Sequence, residues 1–173
     1  LGDVYKRQYR YRVFDVSRKR EVRSSTVFGL SSNLRQVGHY ASDGIYEAIT
    51  GIEGVASTKL LYVNEISFRD EKSFRLMVSD VDGYNERTLL NSPEPIISPA
   101  WSPKGDKVAY VSFETGIANV YIQDLATGDR ESVLEQNTQI SSPAWSPDGK
   151  YLSLTLYQDG NAEIYLFRLR DKT

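Results

Sequence analysis

Cysteine is absent from the 173-residue chain and histidine occurs once. The first absence excludes a disulfide framework and thiolate metal sites. The second leaves nothing from which to build a multi-histidine metal centre and little for histidine-based catalysis. Net charge is equally scarce: 21 Lys and Arg against 23 Asp and Glu leave −2, without the basic stripe of a nucleic-acid binder. No run approaches the roughly 20 consecutive apolar residues that a membrane-spanning helix needs. Neither a secretory hydrophobic segment nor a lipidation motif is present, and the chain does not begin with Met. Residues 1–8, Leu1-Gly-Asp-Val-Tyr-Lys-Arg-Gln8, read as translated adaptor sequence. The native sequence is then expected to start inside an element near Tyr9, as an internal piece of a longer chain, and the missing signal says nothing about export. What remains, 40% hydrophobic and 25% charged, is the composition of an ordinary globular protein.

Residues 9–56 form a first region. Tyr9-Arg-Tyr-Arg-Val-Phe-Asp-Val16 alternates bulky apolar residues with arginine, the period of a half-buried strand. Ser17 to Arg20 is a polar turn and Glu21 to Phe28 the returning strand of a hairpin. Arg18, Lys19 and Arg20 at its tip read as solvated surface rather than a phosphate patch. From Ser32 the period changes: Leu34, Val37, Ala41, Ile45 and Ile49 fall at spacings of three and four, one stripe of a helix. Ser32 or Asn33 can cap its start, with Gln36 placed for a capping box on Asn33, and Gly51 supplies the stop. His39 lies off the stripe; with Asp43 one turn on, a structural His–Asp pair is expected rather than a general base, because no nucleophile motif accompanies it. A hairpin plus a helix is part of an α/β layer too small to bury a core unaided.

A repeat governs residues 57–173. Pro99-Ala-Trp-Ser-Pro-Lys-Gly105 recurs as Pro143-Ala-Trp-Ser-Pro-Asp-Gly149, 44 positions later. At that offset ten of the 27 positions from Pro99 to Leu125 are identical to their counterparts, far above chance. One unit reads as a segment running into Trp101, a strand over Lys107–Ser112, another over Ala118–Asp124 and a fourth over Arg130–Leu134, with glycine in every turn. Four short antiparallel strands in such a period are one blade of a β-propeller. An earlier copy keeps Lys59-Leu-Leu-Tyr-Val63 and Met77-Val-Ser-Asp80, with a hairpin four residues longer, and lacks the Pro-Ala-Trp-Ser-Pro strand. In a closed ring that innermost strand would arrive from the far end of the chain. The last copy stops before its fourth strand. The fold class is therefore mainly β: about two and a half blades of a β-propeller, preceded by part of a small α/β domain. Such an open arc should expose strand edges and one unburied blade face.

Two further groups are candidates for chemistry. Asp80-Val-Asp-Gly-Tyr-Asn-Glu86 clusters oxygen ligands, yet fits no EF-hand spacing, and Asp-Gly at a hairpin tip accounts for it. The links from outermost to next innermost strand, Ser92–Ile96 and Glu135–Gln139, cross towards the channel. They place Ile96, Ile97 and Ser98, with Ile140, Ser141 and Ser142, at the channel mouth as candidate partner contacts. Packing of the isoleucines between blades is an equal alternative. No catalytic residue, metal ligand or cofactor is expected.

The Pro-Ala-Trp-Ser-Pro-Asp-Gly blades resemble the WD40-like propeller repeats of several bacterial families. Ser42-Asp43, Ile45-Tyr-Glu-Ala-Ile-Thr-Gly-Ile-Glu-Gly54, Thr58-Lys-Leu-Leu-Tyr-Val63, Val78-Ser-Asp-Val-Asp-Gly-Tyr-Asn85 and Ser92-Pro-Glu-Pro95 resemble, in order, the TolB family. That resemblance covers residues 9–173. It implies a six-bladed propeller behind an α/β domain, in a periplasmic, non-catalytic component of the Tol–Pal system. It further implies binding of the lipoprotein Pal at the propeller channel and of TolA at an extreme N-terminus absent here. Colicins are possible partners, and the implied role is outer-membrane integrity and cell division. The competing expectation is a propeller that gates a serine peptidase of the prolyl-oligopeptidase type, which would need a catalytic domain elsewhere.

Overall fold

The computed structural model describes residues 6–69, 71–134, 139–158 and 160–170. They divide into two compact units, residues 1–60 with 80–84, and residues 61–79 with 85–173.

In the first unit, β1 (Lys6–Asp15) pairs antiparallel with β2 (Arg20–Leu30), with a bulge between Val13 and Phe14. The basic tip is solvated, and Arg18 turns back to Asp15, 3.7 Å away. A 3-10 turn over Ser31–Asn33 leads into α1 (Leu34–Thr50). Asn33 caps α1 through its side chain, which accepts from the Gln36 amide. Gly51 ends it at φ 74, its N–H bonded to Glu47 O at 2.8 Å; a Cβ in that left-handed conformation would be strained. The expected stripe is only partly used. Val37 is buried and Ala41 and Ile45 half-buried, but Leu34 and Ile49 at the two ends are exposed. A 17-residue helix spans about 25 Å, and the hairpin beneath covers only its middle. The close approach is at Gly29, where a Cβ would lie 2.3 Å from Val37 Cγ2.

The second unit carries the blades. β3 (Lys59–Phe68), β4 (Glu71–Asp80) and β5 (Arg87–Ser92) form a three-stranded sheet. β6 (Ile96–Trp101), β7 (Lys107–Ser112), β8 (Asn119–Asp124) and β9 (Arg130–Ser132) form a complete four-stranded one. β10 (Gln139–Trp145), β11 (Tyr151–Gln158) and β12 (Asn161–Arg168) form the third, again of three strands. All resolved pairings are antiparallel between chain neighbours. The repeat survives at atomic detail: Gly105 and Gly149 both adopt φ 69. Ser102 Oγ accepts from Lys107 N at 3.0 Å, and Ser146 Oγ from Tyr151 N at 2.9 Å.

Two apolar clusters join the sheets. Leu76 of β4 meets Ile96, Val108 and Tyr110, with Trp101 and Leu90 packed against them. Val111, Val120 and Ile122 meet Ile140, Leu152, Leu154 and Phe167, with Trp145 alongside. Hydrogen bonds reinforce both: Gln123 Nε2 donates to Leu89 O at 3.2 Å, and Trp145 Nε1 to Ala100 O at 3.3 Å. Among the described residues, the outer face of the last sheet has no such cover. Ile164 is 82% exposed where its counterpart Val120 is fully buried, and Leu166 is 64% exposed against 5% for Ile122.

Candidate partner-binding site

The innermost strands explain why two serines stand where they do. In β6 the register steps from Ile97↔Val111 to Ala100↔Ala109, and in β10 from Ser141↔Thr155 to Ala144↔Ser153. Each inner strand thus carries one extra residue, a β-bulge at the same repeat position. The bulge places Ser98 at φ 52 and Ser142 at φ 54, a conformation uncommon for any residue with a Cβ. Ahead of the bulge, ordinary strand alternation points Ile96 and Ile140 into the two inter-blade clusters, while Ile97, Ser98 and Ser142 are exposed and Ser141 is half-buried.

The six expected contact residues therefore separate into two kinds. Ile96 and Ile140, 2% and 1% exposed, are core residues; a partner cannot touch them without opening the blades. Ile97, at 41% exposed, is the apolar side chain presented outward, next to Ser98 in the chain. The link before β6 is held rigid: the buried Ser92 Oγ accepts from Glu94 N at 3.0 Å, and Pro95 O from Phe113 N at 3.0 Å. In the second link, residues 135–138 fall outside the described residues. Chemically this surface offers hydroxyls, a bulged backbone and one apolar side chain, which suits recognition rather than bond-making. At the other end of the same strands a cleft of about 400 Å³ is lined by Trp145, Ile122, Lys104 and Asp148 among others. Its Asp148 is already engaged by Ser146 and the Lys150 amide, which hold it below the usual carboxylate range.

A second polar cluster surrounds the lone histidine. The expected pairing with Asp43 does not form as a hydrogen bond. Asp43 instead accepts the amides of Ala56 at 2.6 Å and Ser57 at 2.9 Å. Burial opposes its charge, but the bonds from Ser57 and Ala56 outweigh burial and lower its pKa. Gly54 permits this approach, since a Cβ there would lie 2.4 Å from Asp43 Cα. His39 Nε2 faces Asp82 Oδ2 at 3.2 Å, and the same oxygen is ion-paired with Arg35. Lys59 Nζ reaches Asp80 at 2.7 Å. His39, Asp80 and Asp82 bring potential ligand atoms within 4.8 Å of one another, but Lys59 and Arg35 already neutralise the two carboxylates. The Asp80–Glu86 segment serves as a turn: Asp80 N donates to Tyr84 O at 2.8 Å, and Asp82 Oδ1 accepts from Tyr84 N at 3.2 Å. Arg35 and Asp82 are 47 residues apart, and no local spacing announces their meeting.

The partly exposed charge network of the complete blade was equally hidden from pattern reading. Arg130 pairs with Glu114 at 2.7 Å and lies 5.0 Å over the Tyr121 ring, which stacks on Tyr110 at 5.9 Å. The hydrogen bond that Arg130 donates to Glu114, against partial burial, raises the Arg130 pKa. Burial chiefly raises that of Tyr110.

A family model described as the TolB beta propeller domain matches residues 46–173. The Tol-Pal system protein TolB of Alcanivorax borkumensis is 48% identical over 124 residues, 71% of this chain and 28% of that protein. This chain thus spans less than a third of the length of such relatives. The crystal structure of TolB from Acinetobacter baumannii superposes with a TM-score of 0.88 at 38% identity, covering 96% of this chain and 42% of that one. An acylaminoacyl peptidase of Pyrococcus horikoshii, at 16% identity and TM-score 0.54 over 66% of this chain, shares the fold alone.

Proposed function

This chain belongs to the TolB family, and from that premise we propose that it is part of a periplasmic, non-catalytic component of the Tol–Pal system. Its propeller binds the Pal lipoprotein at the channel mouth, with Ile97, Ser98, Ser141 and Ser142 as contacts contributed by these blades. TolA and colicins are further partners of the whole protein, whose role is outer-membrane integrity and support of cell division. The observation that carries the reading is the repeated bulge: the same irregularity in β6 and β10 presents Ser98 and Ser142 in one strained conformation. Ile97, next to Ser98 in the chain, is an exposed apolar side chain. Bulges and strained residues are over-represented beside binding sites, which supports this reading.

Ile96 and Ile140 act indirectly, by anchoring the bulged strands to the inter-blade clusters. The test is calorimetric titration of the full-length protein with soluble Pal. Ile97→Asp places a charge in the interface and is expected to weaken binding about tenfold or more, with the thermal midpoint unchanged. Unaltered affinity would remove this face from the binding site.

A further inference from the structure

Charge rather than apolar packing joins the turn 80–84 to helix α1, and we propose that Arg35 and His39 form a two-armed latch on the Asp82 carboxylate, a strap that opens and closes with ionic strength. Arg35 and His39 are four residues apart, so both leave one face of α1 a single turn apart. The first arm is made: Arg35 is ion-paired with Asp82 Oδ2 and lies 4.3 Å over the Tyr84 ring of the same turn. The second is poised: His39 Nε2 stands 3.2 Å from that oxygen, shielded from water and without an aligned hydrogen bond. A buried ring nitrogen left without a partner is costly, so Asp82 turns to His39 whenever Arg35 lets go. The other charges facing the imidazole are occupied. Asp80 is held by Lys59, and Asp43, one turn further along α1, by the amides of Ala56 and Ser57.

Deeply buried apolar side chains are few here. The single buried apolar residue described in α1, Val37, packs onto Gly29 of the hairpin, and Tyr84 is exposed. Ion pairs at a partly exposed surface are screened by salt, whereas apolar clusters such as those between the blades are not. The strap and the blades therefore respond differently to the same solution.

Hydrogen exchange of the whole chain reads this directly. The reporters are the amides of Asp80, Val81 and Gly83, bonded to Tyr84 O, Thr58 O and Asp80 O. Asp82→Asn keeps the acceptor for Tyr84 N but removes the charge, and is expected to accelerate exchange over 80–84 about tenfold. Arg35→Met, which leaves the histidine arm, gives a smaller effect, and His39→Gln a smaller one again. Raising salt from about 0.05 to about 1 M speeds exchange in the unmodified protein and not in Asp82→Asn. Amides of β7 and β8 stay protected in every variant. The proposal falls if Asp82→Asn leaves 80–84 unchanged, if salt has no effect, or if the blade amides accelerate in parallel. Arg35→Met matching Asp82→Asn would overturn the second arm.

Discussion

Of the eighteen apolar side chains buried among the described residues, Val37 alone lies in the hairpin–helix unit, and the rest lie in the blades. The hairpin–helix unit instead leaves Phe14, Val16, Phe28, Ile49 and Val55 more than half exposed. The two regions are nonetheless equally regular in secondary structure, with long paired strands and a capped helix in the first. Regular backbone and buried core are thus separable properties. Hydrogen-bond ladders and caps need only neighbours in sequence, whereas burial needs two apolar faces brought together. The blades achieve this because each sheet is repeated, so the outer face of one is complementary to the inner face of the next.

The largest effect expected to sharpen that contrast is in the core between the second and third sheets. Leu154→Ala empties a site that is 1% exposed and should cost about 2–5 kcal/mol in urea unfolding. Ile49→Ala on the exposed end of α1 should stay within about 0.5 kcal/mol. Equal costs would mean that α1 is buried as deeply as the blades.

An intermediate effect belongs to the inter-sheet hydrogen bond. Trp145→Phe keeps most of the ring packing but deletes the Nε1 donor that reaches Ala100 O at 3.3 Å. A loss of about 1 kcal/mol is expected from the unpaired acceptor, read as a shift in the urea midpoint at constant slope. A neutral outcome would assign the join to apolar contact alone.

The smallest effect is electrostatic and distinguishes the regions by pH. Hydrogen bonds to the charged form lower the pKa of Asp43 in the hairpin–helix unit and of Asp124 and Asp148 in the blades. A carboxylate depressed on folding adds stability that is present above its unfolded value of about 3.9 and is lost as pH falls through the folded one. Stability should therefore decline below about pH 4, and Asp43→Asn should flatten the decline only for probes in residues 34–60. A blade probe that changes equally would show that the two units unfold together.

Much of this was legible in the residues alone. The 44-residue offset located the blades, strand β7 matches its expected span of Lys107–Ser112, and Asn33 and Gly51 bound the helix as their capping chemistry requires. The candidate site was legible only as a segment. Ile96, Ile97 and Ser98 read alike along the chain; pairing with β7 decides that Ile96 faces core and Ile97 faces out, and the bulge that follows Ile97 sets the conformation of Ser98. A bulge leaves no signature in hydrophobic period, because it is defined by pairing with a second strand. His39 gave the same lesson: Asp43 was the near acid in sequence, but the loop amides of Ala56 and Ser57 claimed it and Asp82 took its place.

Sequence by itself determined the repeat, the turns and the helix limits, since each depends on residues a few positions apart and on backbone preferences they carry with them. Tertiary structure alone decided that Ile140 is core while Ile97 is surface, and that Arg35 meets Asp82 across 47 positions. Those outcomes depend on which faces are brought within a few ångströms of each other, a property of the packed chain that no local stretch of it contains.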